Sequence, residues 1–148
     1  MEYWKWKAID KLKDYEAQQT ALDNIPDEIT MLLAEYKGIK SSLGDAGSVS
    51  GGGAKSTDDR LISNIVRRTE MAEALKRAKV SVRTVQRGLA VLDPQERRCL
   101  DLLYIHKQKD SMTRLLEELG YAEEKSVYRK TDKALRKFTI ALYGITES

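Results

Sequence analysis

Apolar side chains recur at helical spacing along most of this chain. Between residues 58 and 91 they step mostly by three and four positions, and a similar stripe runs through the first 43 residues. This spacing places apolar residues on one face of a helix with 3.6 residues per turn. Because we find no segment that reads as a strand, the pattern predicts an all-α protein.

The N-terminal stripe is interrupted by NIPDE at residues 24–28. A proline suits the first turn of a helix, and the acids after Pro26 suit the positive end of a helix dipole. We therefore expect one helix to end near Asp23 and a second helix to begin near Pro26. Because the connection is short, the two helices should form an antiparallel hairpin over residues 1–43.

Glycine and small polar residues separate this hairpin from the next helical pattern. Residues 44–57 contain five of the nine glycines and predict a flexible loop or linker. A long connecting helix is expected over residues 58–91, with Gly88 as a candidate kink. Two interpretations of this helix stay open: a structural spacer packed on the hairpin, or a coiled-coil-like seam between two copies of the chain.

Three shorter helices are predicted in the last third of the chain. Asp93, Pro94 and Glu96 form a capping box that starts the first, which should end near His106. Asp110 or Ser111 should cap the second, Gly120 suits its C-terminal stop, and the third should start near Glu124. This order suits a helix-turn-helix, whose third element enters the DNA major groove. We therefore predict that residues 92–148 form a helix-turn-helix domain.

The distribution of charge supports an anion-binding face on the last of these helices. The formal net charge of the whole chain is only +3. Between Lys125 and Lys137, however, six basic residues stand against one acid, Asp132. A basic helix within a mildly charged protein indicates a localised surface for an anionic partner.

Short motifs in the same region resemble known DNA-binding proteins. The pattern L-x3-E-R-x2-L-x-L-x-Y at residues 92–104 is similar to the opening of region 4 of the sigma-70 family, a helix-turn-helix that reads a promoter element. S-V at 126–127 and A-L-R-K at 134–137 resemble its recognition helix and tail. The closing KALRKFTIALYG looks like late-operon regulators of Gram-positive phages, of the ArpU and RinA type. The resemblance covers about 55 of the 148 residues. It implies double-stranded DNA as a partner and RNA polymerase as a further one.

The resemblance and the charge pattern select the residues expected to touch DNA. A recognition helix presents its N-terminal turns to base edges. Arg129 suits guanine O6 and N7, whereas Lys130 and Lys133 suit phosphates. The candidates on the last helix are Lys125, Ser126, Tyr128, Arg129, Lys130 and Lys133. Lys107, Lys109 and Arg114 precede the turn and should clamp the DNA backbone. The competing interpretation is that these charged side chains form only the water-exposed face of an amphipathic helix and bind no partner.

Few other residues suggest chemistry. The single cysteine, Cys99, excludes an internal disulfide and a CxxC zinc site, and we expect it to be buried. The single histidine, His106, should interact with the last carbonyls and the dipole of its helix. The glycines at 51–53 lack the lysine and serine of a phosphate loop. We therefore expect no enzyme activity, metal or cofactor. No apolar run reaches the roughly 18 residues of a membrane span, so we expect no membrane association and a cytoplasmic location in a bacterial host cell.

The sequence thus predicts a phage-type, sequence-specific DNA-binding transcription regulator. Its N-terminal helices would form a homodimer or contact a partner. The alternative is a helical protein-interaction module with a degenerate helix-turn-helix, either an adaptor that binds RNA polymerase or a structural phage component.

Overall fold

The fold is all-α, as predicted. The computed structural model describes residues 2–45 and 56–146, and among these residues it has five α-helices and no strand. The predicted linker over residues 44–57 lies mostly outside the described residues. The helices are α1 (Tyr3–Asp45), α2 (Thr57–Ala90), α3 (Pro94–Leu100), α4 (Ser111–Leu119) and α5 (Glu124–Tyr143), with a π-helical turn over Asp101–Ile105 after α3.

The predicted hairpin over residues 1–43 is wrong, because α1 continues through Pro26. A proline inside a helix removes one backbone hydrogen bond and costs about 3 kcal/mol. Buried side chains such as Leu12 and Leu32 lie on both sides of the proline. Their packing favours one long helix over the local break that the sequence suggests. The Thr30 hydroxyl also donates to the Pro26 carbonyl oxygen at 3.0 Å.

The described chain divides into two compact units, and one of them pairs the second half of α1 with most of α2. This second unit covers Thr20–Lys79. Its fully buried Asn64 donates from Nδ2 to the Leu32 carbonyl oxygen at 2.8 Å, and the amide oxygen accepts from Arg68 Nε at 2.9 Å. Since both ends of a buried amide are satisfied there, Asn64 fixes how the two helices meet.

The first unit combines residues up to Gln19 with those from Val80 onward. Its main core therefore joins both ends of the chain. The buried members are Ala8, Ile9, Leu12, Val85, Leu92, Leu100, Ala134, Leu135 and Phe138. The predicted boundary at residue 92 does not coincide with an edge of this unit, because the last helix buries its apolar face against α1 and α2.

Gly88 belongs to this core and α2 continues past it to Ala90. A Cβ atom built on Gly88 would clash with Leu142 Cδ1 and would lie only 2.7 Å from Phe138 Cε1. Distances this short do not occur between real side chains, so the missing Cβ is what lets α5 lie against α2. The glycine is needed for close helix packing.

The short helices begin and end largely where the local signals place them. The capping box of α3 is confirmed: Glu96 N donates to Asp93 Oδ1 at 2.7 Å, and Asp93 N donates to Glu96 Oε1 at 3.0 Å. Gly120 ends α4 with φ of 71°, as predicted. The Asp110 side chain makes no capping bond, and the Ser111 hydroxyl instead accepts from Gln108 N at 2.8 Å.

Candidate nucleic-acid interface

Helix α5 has one buried face and one exposed basic face. The buried face consists of Val127, Thr131, Ala134, Leu135, Phe138 and Thr139. The apolar pattern does not indicate the two threonines, and the apolar side chain of Ile140 lies outside this face and is exposed. Thr131 and Thr139 can be buried because each hydroxyl donates to the carbonyl oxygen four residues earlier.

The predicted cations of α5 do not all share one environment. Lys125, Arg129 and Lys133 are exposed, and Arg129 and Lys133 lie one turn apart. Within the described part of the chain, neither of the latter two forms a salt bridge. Lys130 is half-buried. The hydrogen bond from the Glu96 backbone N–H lowers the pKa of Asp93, and the charge of Lys130 adds a smaller effect in the same direction. Lys125, Arg129 and Lys133, each four residues from the next, are therefore the exposed cations of α5 in the predicted set.

Two other predicted residues of α5 lie beside the buried face. Ser126 is half-buried, and Tyr128 is exposed. Tyr128 therefore offers its ring to solvent, whereas Ser126 is partly covered.

The predicted backbone clamp lies before the turn between α4 and α5. Lys107 and Lys109 are exposed in the connection that precedes α4, and Arg114 is half-buried on α4. Within the described ranges none of these three residues forms a salt bridge. Glu123 and Glu124 are exposed at the N-terminal end of α5. There they suit the helix dipole but would repel a phosphate.

Lys137, the last cation of the basic run, forms an ion pair with an acid of α3. Its ammonium group lies 2.9 Å from Glu96 Oε2 and 3.0 Å from Oε1. Glu96 is only 2 % exposed and also closes the capping box of α3. Charge count alone could not separate Lys137 from its neighbours, since its partner lies 41 positions away.

A second long-range pair joins the N-terminal helix to α5. Lys5 Nζ donates to Asp132 Oδ1 at 3.0 Å, across 127 positions of sequence. The two residues line a cavity of about 320 Å³ together with Lys133, Arg136 and Thr139. Sequence reasoning missed Lys5, because nothing local to α1 indicates which acid it meets.

Arg98 fixes the position of α4 relative to α3. Its Nε and Nη2 atoms donate to the two carboxylate oxygens of Glu118 at 2.7 and 2.8 Å, and Nη1 donates to Asp101 at 3.0 Å. The bond from Arg98 lowers the pKa of the Glu118 carboxyl, and the same bond raises the pKa of Arg98 itself. A bidentate pair of this kind has strong geometric preference, so it orients the two helices.

His106 continues this network. Its Nδ1 atom is hydrogen-bonded to Asp101, and its Nε2 lies 3.6 Å from Glu16 of α1. The hydrogen bond with Asp101 raises the pKa of His106, and the charge of Glu16 adds to that effect. The ring therefore pairs with carboxylates, whereas the sequence suggested the carbonyls at the end of its helix. Only the His106 backbone N–H bonds a carbonyl, that of Asp101.

Other kinds of site find little support among the described residues. Cys99 is buried as predicted, and burial raises the pKa of its thiol. Across residues 2–45 and 56–146 no group of three or more His, Cys, Asp or Glu side chains could hold a metal ion. None of the described helices combines the length and the apolar character needed to cross a bilayer.

Comparison with known proteins gives no relative. No protein-family model, no curated protein and no solved structure matches this chain.

Proposed function

We propose that this protein is a sequence-specific DNA-binding transcription regulator without enzymatic activity. In this proposal α4 and α5 form the helix-turn-helix, and α5 is the recognition helix. The observation that carries it is the exposed face of α5, where Arg129 and Lys133 lie one turn apart on a helix whose opposite face is buried. A rigid helix with unpaired cations suits the major groove.

The surroundings of α5 support a DNA-facing role. Gly120 ends α4 in the left-handed conformation and allows the tight turn over residues 120–123. Arg98 and Glu118 hold α4 against α3. Phosphate contacts from Lys133 would supply affinity, and Arg129 would discriminate between bases. The motif resemblance to sigma-70 region 4 and to phage late-operon regulators suggests a promoter or operator as the target, in the cytoplasm of a bacterial host.

The second unit supplies the partner contact in this proposal. Met31, Ile62 and Val66 are 68 %, 59 % and 49 % exposed on the paired helices. Ile62 and Val66 lie one turn apart on α2, and exposed apolar side chains that form a patch are typical of an interaction site. We assign this surface to homodimer formation, with RNA polymerase as the further partner that the resemblance implies. The competing function, a protein-interaction module that does not bind DNA, rests on this same observation.

A salt-dependent binding experiment tests the proposal. Fluorescence anisotropy with a mixed-sequence duplex should show binding at low salt that weakens by orders of magnitude at moderate salt. Arg129→Ala and Lys133→Ala should each weaken binding. Arg83→Ala and Lys79→Ala remove exposed cations of α2 and serve as matched controls. No binding at low salt, or equal effects of all four substitutions, would favour the interaction module.

A further inference from the structure

Asp132 occupies an unfavourable place for a DNA-binding helix. It is the single acid between Lys125 and Lys137. On the helix surface its neighbours are the residues three positions before and four positions after it, Arg129 and Arg136. In an isolated helix, a carboxylate so placed would form ion pairs with these two guanidinium groups and would repel phosphates.

Lys5 of α1 provides this carboxylate with a different partner. The ammonium group of Lys5 lies 3.0 Å from Asp132 Oδ1, and its side chain is only 26 % exposed, so it is held in place by its surroundings. Throughout the described ranges, neither Arg129 nor Arg136 forms a salt bridge with Asp132 or with any other acid. The acid is therefore occupied by a residue from outside the basic helix.

We propose that Lys5 is a positioning residue for DNA binding. It neutralises Asp132 and keeps this acid from pairing with Arg129 and Arg136, so that both arginines are left for phosphates and base edges. The inference rests on the proposed function, and it extends the functional surface from α5 to the first turns of α1. Lys5 acts in this scheme through Asp132 and makes no DNA contact of its own.

A double-mutant cycle tests the inference. Lys5→Met removes the charge but keeps an aliphatic stem, and Asp132→Asn removes the acid that Lys5 controls. In the wild-type background, Lys5→Met should weaken DNA binding about three- to tenfold and make the salt dependence shallower, because Asp132 then competes for the arginines. In the Asp132→Asn background, the same substitution should change binding by less than about twofold, since no acid remains to be neutralised.

Two further variants separate positioning from general effects of charge and stability. Lys13→Met removes another exposed cation of α1, one that has no salt-bridge partner in the described ranges, and it should change binding by less than about twofold. Lys5→Arg keeps the pairing with Asp132 and should bind DNA as the wild type does. Thermal unfolding of every variant shows whether the measured protein is folded.

Several results would overturn the inference. If Lys5→Met weakened DNA binding equally in the wild-type and Asp132→Asn backgrounds, Lys5 would bind phosphate itself. Loss of binding in Asp132→Asn, together with a lower melting temperature, would mean that the pair only holds α1 to α5. The proposed function is tested separately by the wild-type protein. If the wild type did not bind duplex DNA at low salt, both proposals would be wrong. Binding that requires Arg129 but shows no coupling between Lys5 and Asp132 would remove this inference alone.

Discussion

Lys137 of α5 contacts both carboxylate oxygens of Glu96, the acid that closes the capping box of α3. Glu96 is almost completely buried, and its carboxylate accepts from Lys137 and from the Asp93 backbone N–H. One side chain thus joins the start of α3 to the middle of the proposed recognition helix. Within the basic run of α5, Lys137 therefore stabilises the fold through its ion pair, whereas Arg129 is exposed and forms no salt bridge among the described residues.

Substitutions of this pair should affect stability more than binding. Glu96→Ala should lower the free energy of unfolding by about 1–3 kcal/mol, because it removes a helix cap and leaves the Asp93 N–H without its partner. Lys137→Ala should lower it by about 1–3 kcal/mol, because it leaves the buried Glu96 carboxylate without its cation. Urea unfolding measures both values. Folded Lys137→Ala should keep more DNA affinity than Lys133→Ala, and the reverse order would contradict the division of roles along α5.

The packing at Gly88 predicts opposite effects for two glycine substitutions. Gly88→Ala places a Cβ against the Phe138 ring, and overpacking of this kind costs about 1–3 kcal/mol, more than the helix propensity that alanine gains. Gly38→Ala in α1 is the matched control, because nothing lies within 4 Å of the added Cβ. It should raise the free energy of unfolding by up to about 1 kcal/mol. Chemical denaturation compares the two, and equal effects would mean that α2 and α5 are less closely packed than described.

Arg98→Lys should weaken the link between α3 and α4 although it keeps the positive charge. A lysine cannot donate to both Glu118 oxygens and to Asp101 in the planar arrangement of the guanidinium group. Since the groups are partly exposed, we expect a loss of about 1 kcal/mol in unfolding free energy. The neighbouring Arg97→Lys is the control, because Arg97 is exposed and forms no salt bridge in the described part of the chain. Similar losses from both would show that the bidentate geometry contributes nothing.

His106 predicts a pH dependence of stability. Its pKa is raised above the usual 6.5 by the hydrogen bond with Asp101. The stabilisation is therefore complete below the unfolded pKa and is lost as the pH rises through the raised folded pKa. Because the ring is about half exposed, the effect should stay below about 1 kcal/mol. Since His106 is the single histidine, its proton resonances report the titration directly. His106→Gln should abolish this pH dependence, and a measured pKa at or below 6.5 would contradict the pairing.

Local signals predicted much of the C-terminal fold. The capping box at Asp93 and the left-handed Gly120 depend on contacts within four residues, and such contacts can be derived from the chain alone. The same local reasoning failed at Pro26, because the packing of apolar residues on both sides of it outweighs the local cost of the proline.

Only part of the candidate site could be predicted from the sequence. The exposure of Arg129 and Lys133 follows from the helical period of α5. The helical period does not predict that Lys137 pairs with Glu96 or that Lys5 pairs with Asp132. Tertiary contacts decide which of several similar charges meet. Thr131 and Thr139 were missed for a different reason. An apolar pattern ignores threonine, whose hydroxyl can be satisfied by its own helix.

The main core of the first unit, which residues from α1 and α5 form together, has a consequence for biosynthesis. Ala8, Ile9 and Leu12 leave the ribosome well before Phe138, by on the order of ten seconds at about 5–20 residues per second. During this time the apolar face of the first helix lacks its permanent cover.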